Sequence, residues 1–118
     1  MRRYKLARIV NGQYLSANQC LFKADGKHCL EYIVGQTTSI DNEIGIACYK
    51  TKRNALKRDH IGETKDYNNG KPIALLTLQT TDEPTKFHPF VYSKAGCYSG
   101  GINYPSVMVL EAMEIKEE

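Results

Sequence analysis

Ile73-Ala74-Leu75-Leu76-Thr77-Leu78-Gln79-Thr80, introduced by Pro72, is a nearly continuous apolar run. Such a run suits a strand covered on both faces, so it is expected at the centre of a sheet. Toward the N-terminus, residues 4–10 alternate well enough for a strand, and Asn11-Gly12 follows at once. Asn-Gly between apolar runs signals a tight hairpin, whose return arm would be Gln13 to Ala17. Asp25-Gly26 is a second turn signal, flanked by Cys20 to Phe22 and by His28 to Val34. Gln36 to Asn42 is polar and reads as loop, and Gly45 to Cys48 is a short apolar run that leads to Tyr49-Lys50-Thr51.

Thr51 is a fair N-cap for a short helix from Lys52 to Asp59, with Ala55 and Leu56 on one face. Gly62 to Gly70 reads as a surface loop with an Asn-Asn-Gly turn. Ser106 to Ile115 is expected as the last strand, because Val107 and Val109 alternate and Tyr104-Pro105 leads in. Its good helix formers from Leu110 to Glu114 argue the other way. The expected fold class is α+β: one β-dominated domain over residues 1–118, with about six strands in a curved antiparallel or mixed sheet and one short helix.

The totals agree with that class. A chain of 118 residues can bury one core without staples. A formal net charge of +3 does not demand a nucleic-acid or membrane partner. No apolar run approaches the roughly 18 residues of a membrane span. Arg2, Arg3, Lys5 and Arg8 make one end basic and Glu111, Glu114, Glu117 and Glu118 make the other acidic, which suggests two neighbouring antiparallel strands. The four cysteines allow two bridges. Met1, however, leads into a basic alternating segment without the apolar core of a signal peptide, so free, mostly buried thiols in a cytoplasm are expected.

Thr80 to Tyr104 is a long connection rich in aromatics and glycine. Loops longer than about 12 to 15 residues in a compact domain are usually functional or disordered, and disordered segments lack aromatics. Cys97 and His88 share this loop, but no strand-turn-helix elbow surrounds the cysteine, so no catalytic residue is assigned. No Cys-x-x-Cys pair occurs, and His28 and Cys29 are adjacent and would point to opposite faces of a strand, so no metal or cofactor is assigned. Tyr98, Ser99, Gly100 and Gly101, with Ile102 and Asn103, could fold backbone amides into an anion nest. Lys50, Lys52, Arg53, Lys57 and Arg58 concentrate positive charge suited to phosphates or an acidic protein surface. Tyr49 adjoins them, and Phe87, His88 and Tyr92 supply stacking or shape. The candidate ligand- or partner-binding set is therefore Tyr49, Lys52, Arg53, Lys57, Arg58, Phe87, His88, Tyr92, Tyr98, Ser99, Gly100 and Gly101.

Tyr32-Ile33-Val34-Gly35, Gly45-Ile46-Ala47-Cys48-Tyr49, Thr51 with Ala55-Leu56, and the strand from Ile73 to Leu78 together resemble a small uncharacterised domain of bacteria and their phages. That group carries a histidine in its second strand where Ala47 or its neighbour stands here. The same order of elements, with Tyr104-Pro105, also looks like the core of ADP-ribosyltransferases, which act with NAD. Arg8 and Thr37-Thr38-Ser39 imitate two of the elements that this likeness implies. The third is a closing Gln/Glu-x-Glu, and Glu111 and Glu114 are three apart and fall on opposite strand faces.

The first resemblance implies a phage or mobile-element accessory protein in the cytoplasm of a bacterial host. The expected function is non-catalytic binding: inhibition of a host factor or sequestration of a nucleotide-like ligand. The alternative is a small ADP-ribosyltransferase-like enzyme. The expected partners are a host protein or a nucleotide-like small molecule, not a membrane, and a homo-oligomer is the favoured assembly.

Overall fold

The computed structural model describes residues 1–16, 30–39, 45–80, 83–84 and 101–116. Within them one eight-stranded sheet carries two helices. The strands are β1 (Arg2–Val10), β2 (Gln13–Leu15), β3 (Glu31–Tyr32), β4 (Thr37–Ser39), β5 (Ile46–Tyr49), β6 (Ile73–Thr80), β7 (Gly101–Tyr104) and β8 (Ser106–Ile115). The helices are α1 (Lys52–Ala55) and α2 (Arg58–Tyr67). The main path runs β3-β2-β1-β6-β8-β4, and every pairing is antiparallel.

β6 is central, as its apolar run requires. β1 pairs one of its edges from Arg2↔Gln79 to Arg8↔Ile73, and β8 pairs the other. The basic N-terminal and acidic C-terminal strands are therefore not neighbours. β6 lies between them, and the expected charge pairing does not form. The first hairpin is as expected: Val10 pairs with Gln13, and Asn11 (φ 51°) and Gly12 (φ 78°) both take the left-handed backbone of a two-residue hairpin turn.

β1 shares its second edge between two ribbons. β2, followed by β3, pairs with its C-terminal half, while β5, followed by β7, joins it at Tyr4↔Tyr49. Side chains directly opposite across a ladder share a face. Arg3, Lys5 and Ala7 thus lie with Leu78, Leu76 and Ala74 on one face, and Tyr4 and Leu6 lie with Thr77 and Leu75 on the other. The first face holds the main core: Ala7, Ala74, Leu76, Leu78, Val107 and Val109 packed with Tyr32, Ile46, Cys48 and Tyr104 from the two ribbons. On the second face, Leu6, Leu75 and Ala55 form a smaller cluster with Tyr49, Leu56 and Ile61 around them. Between Thr77 and Leu78 the ladder to β8 slips, from Thr77↔Glu111 to Leu78↔Val109, so Leu110 is an extra residue in a bulge.

Four sequence expectations need correction. Residues 37–39, read as loop, form β4, because an edge strand can leave polar β-branched side chains in solvent. The stretch from Gly101 to Tyr104 is strand β7 on β5 and not loop. Helix does not stop at Asp59: it breaks at Leu56 and Lys57, then resumes as α2, so the described residues hold two helices where one was expected in this stretch. Accordingly most of the Gly62 to Gly70 loop is helical, and only its Asn-Asn-Gly turn is as read, with Asn69 at φ 57° and Gly70 at φ 77°. Gly70 N–H donates back to Lys65 O at 2.8 Å, satisfying an end carbonyl of the helix.

Asn68, next to that turn, is buried and fastens α2 to the sheet. Its amide donates to Pro72 O at 2.7 Å and to Ile9 O at 3.3 Å. Asn68→Ala would leave both carbonyls short of a donor. The expected loss is about 1–3 kcal/mol, measured by urea unfolding.

Candidate functional site

Two groups of cations stand out. The first is the strip from Lys50 to Arg58. Thr51 caps α1, its hydroxyl accepting from Asn54 N–H at 3.1 Å, and Ala55 buries the helix's inner side completely. The cap and the buried alanine fix the opposite side outward. Lys50, Lys52, Arg53, Lys57 and Arg58 are all exposed, and none of their side chains makes an ion pair with another described residue. Tyr49 does not stand free beside them. Its ring stacks on His60 with centroids 4.7 Å apart and planes 25° apart, and it packs on the Leu6 cluster. His60, which the sequence did not single out, seals the break between the helices, with Nδ1–H donating to Asn54 O at 2.7 Å.

The second group faces the main core from β1. Lys5 is half-buried, donates from Nζ to Ala47 O at 2.8 Å and sits 5.9 Å from the centroid of the Tyr32 ring. Arg3 donates from Nε to the Tyr104 hydroxyl at 3.0 Å and from Nη1 to Lys50 O at 3.4 Å, with its guanidinium carbon 5.9 Å from the Tyr104 ring centroid. Burial pushes the Lys5 ammonium below its ordinary range, and the nearby Cys48 acts in the opposite sense. Cys48, a free buried thiol, is pushed up to about 11 by burial, against the pull of Lys5 and Arg3. Tyr32 is raised by burial too, a hydrogen bond with Ser16 opposing. Its phenol therefore stays neutral. These residues escaped the sequence reading because alternation alone suggests one buried face on β1, whereas both are covered.

The structure unites only part of the sequence-derived set. Tyr49, Lys52, Arg53, Lys57 and Arg58 are neighbours around α1. Gly101 pairs opposite Tyr49 in β7, so residues 101–103 run extended. Phe87, His88, Tyr92, Tyr98, Ser99 and Gly100 lie outside the described residues, as do Cys20, Cys29 and Cys97. The described ends of that connection, Thr80 and Gly101, sit at the end of the sheet that carries Arg3: Thr80 N–H donates to Met1 O at 2.9 Å.

Residues matching the transferase pattern do not converge. Arg8 is in one row with Ile73 and Ile115, while Thr38 pairs with Val107 at the other end of β8. At about 3.3 Å per residue the two rows are roughly 25 Å apart. Arg8 Nε instead donates to Ser16 O at 2.9 Å. A cleft of about 320 Å³ opens near the first hairpin between Arg8, Asn11, Asn69 and Lys71. Among the described residues no three His, Cys, Asp or Glu side chains gather as a metal site, and no helix is long and apolar enough to cross a membrane.

Comparison of the chain with family models, with characterised proteins and with solved structures finds no match.

Proposed function

We propose that this chain is a non-catalytic binding protein that docks on an acidic surface of a partner protein through the strip from Lys50 to Arg58. The observation that carries the reading is that these cations are exposed, unpaired among the described residues and grouped on and around the capped, core-anchored helix α1, from Lys50 before it to Arg58 at the start of α2. A folded scaffold that holds like charges together without neutralising them favours an oppositely charged partner. An exposed strip suits a macromolecular surface better than an enclosed small ligand, and Tyr49 already spends one ring face on His60. In the setting that the resemblance implies, the partner is a host factor and the chain occludes it.

Replacing Lys52, Arg53, Lys57 and Arg58 together by Gln tests this. In capture from bacterial lysate, the native chain should retain a partner at low salt that the variant loses. Against that purified partner, the variant's affinity should fall about a hundredfold or more, and added salt should weaken the native complex. If native and variant chains capture the same proteins with equal affinity, the strip is merely a solvated face.

A further inference from the structure

The face of β1 that looks into the main core carries Arg3 and Lys5 where the next residue of the row is Ala7 and the opposite residues are Leu78, Leu76 and Ala74. Cations in such a row are costly unless something anionic meets them. Among the described residues no carboxylate does so. The partners of Lys5 are one backbone carbonyl and the face of Tyr32. Those of Arg3 are the Tyr104 hydroxyl and ring, Lys50 O and the Met1 sulfur, all neutral.

These contacts fix the two head groups from β3, β5 and β7 without neutralising them. Each leaves polar hydrogens that have no acceptor among the described residues, because an ammonium has three and a guanidinium five. Residues two apart on a strand face stand about 7 Å from each other, and two long side chains rising from them can meet a single tetrahedral anion. A guanidinium fork beside an ammonium point charge matches phosphate oxygens, and the ring of Tyr104 lies beside Arg3 and that of Tyr32 beside Lys5.

We propose that Arg3 and Lys5 form a binding site for a phosphate group, either inorganic phosphate or the terminal phosphate of a nucleotide, distinct from the exposed strip on α1. The site does not depend on the docking role of that strip. Bound anion would supply the missing negative charge and keep Lys5 protonated. Lys5 also ties Ala47 to β1, so the purely structural alternative is that the ammonium serves only that carbonyl.

Thermal unfolding of the full chain, titrated with inorganic phosphate and separately with ADP at constant ionic strength set by chloride, separates the two. The midpoint should rise and saturate with at least one probe. A response to both assigns the site to phosphate itself, and a response to ADP alone assigns it to a nucleotide's phosphate. Lys5→Met, which keeps the stem, and Arg3→Gln should each weaken the response about tenfold or more, while Lys5→Arg should keep most of it. The four-residue variant of the exposed strip (Lys52, Arg53, Lys57 and Arg58 to Gln) should respond like the native chain. No response to either probe overturns the site, as does a response that survives Lys5→Met. A response lost in the strip variant but kept in Lys5→Met would move the anion to the strip, overturning this site and leaving the docking reading intact.

Discussion

Leu76→Ala should lower stability by about 2–5 kcal/mol and the thermal midpoint by roughly 10 °C or more. Leu76 has no exposed surface and lies in the main core, between Lys5 on β1 and Ala112 on β8. Its surroundings make the loss severe. Ala7 and Ala74 on the same face are too small to refill the space, and Val109 is a short branched side chain pinned in its own strand. A cavity that cannot collapse keeps its full penalty. Met113→Ala, on the same sheet but 45% exposed, should change stability by no more than about 0.5 kcal/mol. Urea unfolding of both variants checks the contrast, and equal effects would mean that the two faces of β6 are not covered as described.

Cys48 should resist alkylation in the folded protein by a factor of about 100 or more relative to the urea-unfolded chain at pH 8. The thiolate is the reactive form, and burial moves the thiol from an ordinary value of 9.0 to about 11. Below both values that difference alone removes about 99% of the thiolate, before any steric shielding by Ile46 and Tyr104. The sign for stability follows. The folded state holds its proton more tightly, so the contribution of Cys48 is fully present below pH 9 and is lost as pH climbs toward about 11. Timed iodoacetamide labelling, read on the peptide that contains Cys48, measures it directly. Equal rates in the folded and unfolded chain would place the thiol at the surface.

The parts of the fold legible in the sequence are those where one local signal agrees with the tertiary outcome. Ile73 to Thr80 is apolar on both faces and is central; Asn11-Gly12 takes the turn that its residues favour; Ser106 to Ile115 is strand from end to end; Thr51 caps its helix. The second helix was hidden because its inner side has little apolar periodicity. Ile61 is half-buried, Thr64 is the one buried position, and Gly62 interrupts the run. The strand order was hidden for another reason: charge at the two ends says nothing about β6 entering between them. Of the candidate sites, the strip showed in the sequence because its cations are dense. Arg3 and Lys5 did not, since their significance depends on β3, β5 and β7 covering the face into which they point.

The bulge at Leu110 has an evolutionary corollary. Before it, the odd-numbered residues Val107 and Val109 point into the main core; after it, the even-numbered Ala112 takes over that role opposite Leu76. One residue therefore acts as a parity switch for the rest of the strand. A chain lacking only Leu110 would join Val109 directly to Glu111 and run as a regular strand, with Glu111 still opposite Thr77 and Ala112 still opposite Leu76, so it would lose the bulge and keep the register. Related chains that lack a residue here should show unbroken inside-outside alternation along the whole strand, whereas those that keep it should show the one-residue break, a signature that could identify distant relatives where residue identity has faded.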